Sequence, residues 1–547
     1  MKINTQGRIL LLLLLMTAIS GAWAQKLALE NTYKITREAK KGYLDEVTYD
    51  AKTQYTTLSF VTRASSSGKK SKVNYQNYFF DKDFNFVKVE DETDVNYRNK
   101  KYRGDDYQVE GVTMENNLVG TFVLKKKLIT YTWNWFFGGY NKKVKKLDKV
   151  KPKDDLGNKY TLRTKYENDE TGEVLAFVNA KGKTANPNEF LLMLIDKDLN
   201  IKVTDASTFE SPQSLVASYY IPMAEEEESD DSDEEESEED DEDDAGNLAS
   251  NDISIIFAAS SLGKKADADM HNYTYWRVNA AGSIIEKVSF KAAASAWNVN
   301  QAVYSKGDVY LGGPANEGKY YDVGVGGNSK DKWKFFQLAK ISNKKAAYVT
   351  LTDIDEFDAK LKTPPSQKRS PSYDGKRFQF AFADALQDGS IIVSGQNYEW
   401  VTVNKQRRKS FRDVVMFHFD NMGKLKSQYG VRREENNKDA KYNRSIQFGV
   451  RGKSSYYWTI LELDGFHVEK EGDSKINKPL LYPSVARIDA ESGNIGDFVQ
   501  FGTVNNKPTY YLHRRFRYVP IPEQNAIVYL GVDKPGKVLW FGKVIMD

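Results

Sequence analysis

The chain has no cysteine in any of its 547 residues. Disulfides, thiolate metal sites and cysteine nucleophiles are therefore excluded. Lipoprotein anchoring is excluded too, because that modification acylates a cysteine directly after the leader peptide. Exported eukaryotic proteins of this size usually carry disulfides, so the absence favours a bacterial envelope protein if the chain is exported.

Histidine is also scarce, with only four residues in the whole chain. Neither a His-Glu-x-x-His zinc motif nor a Gly-x-Ser-x-Gly nucleophile elbow occurs. Catalysis by a pair of carboxylates stays open, because acidic residues are plentiful, but no pair stands out. We therefore predict a protein without enzymatic activity, without a metal site and without a cofactor.

Long apolar runs are missing except at the start of the chain. Residues 1–24 combine the cations Lys2 and Arg8 with an apolar stretch at residues 9–16 and small residues before Gln25. This is the pattern of a signal peptide cleaved between Ala24 and Gln25. The stretch is shorter than the ~20 residues that a spanning helix needs. We expect an exported protein of the periplasm or cell surface of a Gram-negative bacterium, not a lipoprotein.

Negative charge is concentrated in one place. Residues 225–244 contain 17 acidic residues and three serines. Removing these 17 acids from the total of 76, and Lys2 and Arg8 from the total of 79 bases, leaves 59 acids and 77 bases, or about +18. A segment of like charge has nothing to bury. We predict that residues 225–244 are a disordered acidic insertion within a basic folded body.

A short phrase occurs twice in the chain, as FDKDFNFVKVED at residues 80–91 and as IDKDLNIKVTD at residues 195–205. Each copy follows an apolar run, turns at a polar Asp-Lys-Asp and continues with alternating residues, which is typical of a β-hairpin. The phrase lacks the glycine and closing glutamate of a calcium loop. Comparable turns are predicted at Asp81, Asp148, Asp196, Asn279, Ser342, Asp420 and Asp489, and the chain stops at Asp547.

These turns indicate a repeat of roughly 60 residues once two insertions are set aside. One insertion is the acidic tract, and the other is a short helix predicted after a Thr352-x-x-Asp355 cap and continuing through Leu361. A β-rich run precedes most of the turns. The runs are Val174–Val178, Ile253–Ala258, Val309–Gly312, Ile391–Gly395, Tyr456–Ile460 and Ile527–Gly531.

Several strands in each of about eight repeats predict an all-β fold, a single β-propeller over residues 25–547. We count eight blades, or seven if the weak unit near Asp148 is an insertion. The chain stops where a third strand should turn into a fourth, so residues 26–37 are expected to pair with the last blade and close the ring. The competing fold is a pair of β-sandwich domains joined at the acidic tract.

One turn resembles a known family. Residues Ser372-Tyr373-Asp374-Gly375-Lys376-Arg377-Phe378 are similar to the Ser-Pro-Asp-Gly-Lys-Arg-Ile turn of TolB-like and prolyl-oligopeptidase-type propellers, with the proline displaced to position 371. The Lys-, Asn- and Tyr-rich composition resembles envelope proteins of the Bacteroidota. The first resemblance implies a propeller, although the nucleophile elbow of the hydrolases is missing, and the second implies an envelope protein.

Basic residues beside aromatic residues are the candidate contacts. Aromatic faces with nearby cations suit sugar rings or anionic polymers, but the same pattern is expected of lysine-rich hairpin tips with the aromatics in the core. Nucleic acid is a poor partner for an exported chain without a reading motif. The candidate contacts are Trp133, Trp135, Lys142, Lys143, Lys145, Lys146, Arg514 and Arg515.

The sequence favours a non-enzymatic scaffold in the bacterial envelope, whose partner is a protein assembly at the outer membrane. An anionic glycan or a lipid headgroup is a further candidate ligand, since the folded body is basic. One alternative is a carbohydrate-binding or glycoside-cleaving propeller, with two carboxylates ~5–10 Å apart at a central mouth. Another alternative is a cation-binding surface protein that acts through the acidic tract.

Overall fold

The structure is a computed structural model of the 547-residue chain. It describes residues 27–67, 70–95, 107–134, 139–167, 173–221, 252–259, 272–305, 307–317, 332–403, 405–433, 440–471, 474–505, 507–513 and 516–546. The predicted signal peptide with its Ala24–Gln25 cleavage site, and the predicted acidic insertion, lie outside these residues.

The described residues form eight sheets of three or more strands, which are numbered here in chain order. Neighbouring strands are antiparallel except for one pair in sheet 6. Sheet 1 contains β2 (Tyr43–Asp50), β3 (Tyr55–Ser67), β4 (Lys70–Phe80) and β5 (Phe86–Val95), and sheet 2 contains β6 (Tyr107–Asn116), β7 (Phe122–Asn134) and β8 (Gly139–Val150). Sheet 3 contains β9 (Lys159–Glu167), β10 (Val174–Lys181), β11 (Glu189–Ile195) and β12 (Ile201–Thr208). Sheet 4 contains β13 (Gln213–Ile221), β14 (Asp252–Ala259), β15 (Tyr273–Val278) and β16 (Ile284–Phe290).

The second half of the chain continues the same pattern. Sheet 5 contains β17 (Ala296–Trp297), β18 (Gln301–Ser305), β19 (Asp308–Asn316), β20 (Phe335–Ser342) and β21 (Lys345–Asp353). Sheet 6 contains β22 (Leu361–Lys362), β23 (Arg377–Ala385), β24 (Ile391–Val403), β25 (Gln406–Phe419) and β26 (Leu425–Val431), and β22 pairs in parallel with β26. Sheet 7 contains β27 (Gln447–Arg451), β28 (Ser455–Glu471), β29 (Ser474–Asp489) and β30 (Val499–Gln500). A two-stranded ribbon of β31 (Thr503–Val504) and β32 (Lys507–Pro508) precedes sheet 8, which contains β33 (Tyr510–Leu512), β34 (Tyr518–Ile521), β35 (Ala526–Asp533), β36 (Val538–Ile545) and β1 (Leu29–Lys34). The helical pieces described are α1 (Arg37–Lys41), α2 (Ile354–Ala359) and the 3-10 turns Ala440–Tyr442 and Pro522–Gln524.

The first strand of the chain pairs with the last. β1 runs antiparallel to β36, with Leu29 opposite Lys543 and Lys34 opposite Val538. The indole Nε1 of Trp540 also donates to the Glu30 carboxylate at 2.5 Å. β1 therefore occupies the outermost position of sheet 8, which is the fourth-strand position expected for it.

The core consists of layers between successive sheets. Seven clusters of buried side chains each combine two neighbouring sheets: 8 with 1, 2 with 3, 3 with 4, 4 with 5, 5 with 6, 6 with 7 and 7 with 8. None of the clusters found among the described residues combines sheets 1 and 2. Sheets stacked face to face in sequence are the architecture of a β-propeller. The all-β, propeller-type fold is confirmed, while the blade number and the closure of the ring stay predictions.

In sheets 3 to 8 the strand that follows the first strands is buried on both faces over a run of consecutive positions, which explains the β-rich runs. β10 and β14 are buried at seven consecutive positions. A strand covered on both faces reads as a continuous apolar run instead of an alternating one. The six predicted runs fall on β10, β14, β19, β24, β28 and β35, which follow the first strands of sheets 3 to 8.

Six of the predicted turns join the third and fourth strands of a sheet. In the first of them the Asp81 carboxylate accepts the backbone N–H groups of Asp83 and Asn85, both at 2.9 Å, and Asp196 plays the same part in its own turn. These hydrogen bonds satisfy the carboxylate within the hairpin tip. The turn at Asp148 is wrong, because Asp148 lies inside β8 opposite Lys126.

The predicted helix exists with different ends. α2 is capped by Asp353 and not by Thr352, since the Asp353 carboxylate accepts the N–H of Asp355 and Glu356 reaches back to complete a capping box. It ends at Ala359, before Leu361. The turn that resembles TolB-like propellers directly precedes β23, with Gly375 at a φ of +79°.

Candidate functional site

Several predicted contacts cannot be placed. Trp135, Arg514 and Arg515 lie outside the described residues. Trp133 belongs to β7, where its backbone pairs with Tyr140, but its side chain is outside what the structure describes. The proposed roles of these four residues stay predictions.

The four remaining candidates, Lys142, Lys143, Lys145 and Lys146, lie on β8 and are all exposed. The register places Lys142 opposite Tyr131 and Lys146 opposite Lys127. Because side chains alternate between the faces of a sheet, Lys142 and Lys146 share one face of sheet 2, and Lys143 and Lys145 share the other. The Lys142 ammonium lies 5.8 Å from the centre of the Tyr131 ring. We call β7 and β8 together the lysine hairpin.

Like charges face each other across the lysine hairpin. Lys125 lies opposite Lys149, and Lys127 lies opposite Lys146. Desolvation lowers the pKa of Lys125, and the positive charges of Lys127, Lys149 and Lys146 lower it further. Like charges directly opposite in a sheet are destabilising. An anionic group that approaches this face therefore reduces the repulsion between the lysines and stabilises the hairpin. On this face only Lys125 has a carboxylate partner among the described residues, Glu115.

Lys126 has a different role from its neighbours. It lies on the opposite face of sheet 2, where its ammonium bridges Glu110 at 3.2 Å and Asp198 at 2.7 Å. The hydrogen bonds that the Lys126 ammonium donates to Asp198 and Glu110 raise its pKa. Since Asp198 belongs to the turn before β12, this ion pair joins sheet 2 to sheet 3 and is not available to a ligand.

The lysine hairpin is one of four lengthened hairpins within the described ranges. In sheets 1, 2, 6 and 7 the second and third strands have between 11 and 17 residues, whereas β10 and β11 of sheet 3 have eight and seven. All four hairpins occupy the same position in the repeat, so they extend beyond the same end of their sheets. We call them the long hairpins: β3–β4, β7–β8, β24–β25 and β28–β29.

The β24–β25 hairpin carries an aromatic and cationic cluster that the sequence analysis did not select. The Arg407 guanidinium lies 4.9 Å from the ring centre of Trp400, and the Lys409 ammonium lies 4.6 Å from that of Tyr398. Trp400 is 36% exposed. The signal was present in the sequence, since an alternating Tyr-x-Trp before a basic turn places both rings and the cations on one face of a hairpin.

One group of side chains suggests a hydrolase but lacks its chemistry. Ser390 Oγ lies 2.6 Å from Asp388 Oδ1 and 3.1 Å from His418 Nε2. Ser390 and Asp388 line an open cleft of about 500 Å³ together with Lys426, whereas His418 is buried behind them. The short contact with the carboxylate means that Ser390 donates its proton to Asp388 and accepts from His418. A triad needs the reverse, a serine that donates to histidine.

The charge states of this group support the same conclusion. Burial, and then Lys426, lower the pKa of His418 to about 4. Burial alone would raise the pKa of Asp388, but hydrogen bonds from Ser390 outweigh it and lower the pKa. His418 is thus a neutral strand residue that stabilises the turn before β24 through its hydrogen bond with Ser390.

The described residues contain no group of three or more His, Asp or Glu side chains placed to hold a metal ion. Within the same part of the chain, no helix has the length and apolar character needed to cross a bilayer.

Comparisons with known proteins return remote structural similarity alone. No family model matches the chain. No curated protein sequence matches it either. Among solved structures, the WD40 domain of SCAP from fission yeast is 7% identical over 94% of this chain and 98% of its own, with a TM-score of 0.26. The N-terminal domain of Nup159 is 9% identical over 95% and 99%, with a TM-score of 0.24, and a Synechocystis apocarotenoid oxygenase is 11% identical over 80% and 92%, with a TM-score of 0.29. At these scores the fold assignment depends on the sheets described above.

Proposed function

We propose that the protein is an exported, non-enzymatic scaffold of the bacterial envelope that binds a protein partner through its long hairpins. The observation that carries the proposal is the lengthening of the second and third strands in sheets 1, 2, 6 and 7. Strands longer than their own sheet requires present side chains beyond the packed core. Propeller-type folds place function on such projecting segments while the stacked sheets remain rigid.

The chemistry of the long hairpins favours an acidic protein surface as the partner. Two of the four carry unbalanced cations, the lysine hairpin and the Arg407–Lys409 stretch of β25. Arginine and tryptophan side by side are the residue types that dominate binding energy at protein interfaces. A sugar would have to displace the cations that already cover the rings of Tyr398 and Trp400. An assembly at the outer membrane is our preferred partner.

The test is affinity isolation of the tagged full-length protein from crosslinked membranes of its native host. Replacing Trp400→Ala together with Arg407→Glu should reduce recovery of the specific partner by about tenfold, because an exposed aromatic anchor and the cation that lies on its ring are removed. Lys345→Glu is the matched control, since it changes an exposed charge on β21 outside the long hairpins.

Recovery that is equal for both variants would contradict the assignment of the surface. The absence of any protein retained above background would contradict the scaffold role itself. Folding of each variant is checked by its melting temperature, because Trp400 lies at the sheet edge and not in the buried clusters.

A further inference from the structure

Two strands of the molecule are exposed on both faces. On β5 every position from Phe86 to Thr93 is exposed, and on β8 every position from Asn141 to Lys149 is exposed. The outermost strands of sheets 3, 4 and 5 differ, since the exposed positions of β12, β16 and β21 are interspersed with half-buried or buried ones. Each of the two exposed strands pairs with one neighbour only among the described residues, β5 with β4 and β8 with β7.

Both strands expose large apolar side chains along with their free edges. Val87 and Val89 of β5 are both 40% exposed, and Val144 and Leu147 of β8 are 48% and 41% exposed. A long edge strand with apolar side chains is a template on which another strand can pair. Neither strand contains a proline that would prevent such pairing.

The two strands carry opposite charges. β5 reads FVKVEDETDV and β8 reads GYNKKVKKLDKV. An antiparallel register that sets Glu90 opposite Lys146 also sets Asp91 opposite Lys145 and Val89 opposite Leu147. Pairing of β8 with a second β8 would instead oppose lysines, which is unfavourable. The charges thus select β5 as the strand that fits β8.

Sheet 2 has an open position for such a strand. It contains three strands among the described residues, whereas sheets 1, 3, 4 and 7 contain four, and its free edge is on the β8 side. An added strand would also place carboxylates beside lysines that have no ion-pair partner within the described part of the chain, Lys145 and Lys146 among them.

We propose that the occupant of this position is β5 of a second copy of the chain, so that copies associate edge to edge through β5 and β8. The interface is heterologous, because two different strands form it, and each pair therefore retains one unused β5 and one unused β8. Such contacts continue into longer assemblies unless their rotation closes a ring. This self-association goes beyond the proposed scaffold role and does not depend on it.

The experiment measures sedimentation velocity of the full mature chain from about 1 μM to about 100 μM. The wild-type protein should associate with rising concentration, and less so in high salt, because the opposed charges are exposed. The variants Glu90→Lys/Asp91→Lys and Lys145→Glu/Lys146→Glu should each weaken association by about tenfold or more.

Two further samples separate pairing from a change of net charge. An equimolar mixture of the two variants, and a single chain that carries all four substitutions, should associate again, because the charges are complementary once more. Lys202→Glu/Lys345→Glu is the control for the second variant, since it makes the same change in net charge at exposed positions of β12 and β21. Melting temperatures confirm that each variant is folded.

Other results would overturn the proposal. A wild-type chain that is monomeric throughout, or association that the charge reversals leave unchanged, would rule out the β5–β8 contact. Association that appears only after deletion of residues 225–244 would assign β8 to the acidic tract of its own chain. Failure of this experiment leaves the Trp400 experiment unaffected, because the two use different strands.

Discussion

The His418 imidazole shows how one buried side chain makes the free energy of unfolding depend on pH. Its pKa is lowered to about 4 in the folded protein, mainly by burial, against about 6.5 in an unfolded chain. As the pH falls, the unfolded chain takes up the proton first. The stability contributed by the neutral ring is therefore complete above pH ~6.5 and is lost progressively towards pH ~4, by roughly 3 kcal/mol.

The measurement is urea unfolding of the wild type and of His418→Gln at several pH values between ~4 and ~7.5. Carboxylates titrate in both proteins, so the difference between the two curves isolates His418. We expect the gap in the free energy of unfolding to narrow as the pH falls, because only the wild type loses this contribution. A constant gap would show that His418 does not titrate with a lowered pKa.

Single residues also decide where the sequence predicted turns correctly. At Asn279, Asp420 and Asp489 a glycine with a φ between +66° and +80° follows three or four residues later, at Gly282, Gly423 and Gly493. Asp148 has no such glycine, since Lys151 and Pro152 stand three and four residues after it. Proline has a fixed negative φ and keeps the residue before it extended, so neither position suits the left-handed backbone of these tips. The same rule argues against a turn at Asp148 from the sequence alone.

At the scale of elements, the hairpin between β20 and β21 offers a direct test of turn chemistry. Its tip residues Asn343 and Lys344 both have positive φ, at 51° and 59°. A side chain with Cβ is strained there, whereas glycine is not, and Asn-Gly is the preferred tip. We predict that Lys344→Gly raises the free energy of unfolding by about 1 kcal/mol. Lys345→Gly, one residue further into β21, should lower it by about 0.5–1 kcal/mol. Equal effects of the two substitutions in urea unfolding would refute the assignment of strain.

The elements differ in how far the sequence could predict them. β10 and β14 were recognisable, since strands covered on both faces consist of continuous apolar residues. The exposure of β8 could not be foreseen in the same way. Lysine stems suit a half-buried strand as well as an exposed one, and the apolar Val144 and Leu147 are compatible with either. Only the packing of sheet 2 shows that both of its faces are open there.

At the scale of the whole molecule, the period of about 60 residues could be predicted because six of the sheets have a similar turn between their third and fourth strands. The continuity of the core could not, since it depends on contacts between residues that are far apart in the chain. Seven junctions between sheets have a cluster of buried side chains, and the clusters described include none for sheets 1 and 2. The β5 and β8 edges belong to these two sheets, which agrees with the exposure of both strands.

The pairing of β1 with β36 holds the two ends of the chain together. β1 completes the ladder of β36, and its Tyr33 ring stacks on Phe86 of sheet 1 at 4.2 Å, so it joins sheet 8 to sheet 1. A chain that starts after Lys34 loses this ladder and uncovers the apolar face of Phe541 and its neighbours. We predict that the free energy of unfolding falls by at least about 3 kcal/mol. A synthetic peptide of residues 27–36 should restore the melting temperature of the truncated chain, whereas a scrambled peptide should not, because only the native order matches the register with β36. An unchanged melting temperature after truncation would mean that sheets 8 and 1 are held together without β1, and the predicted closure of the ring would then lose its main support.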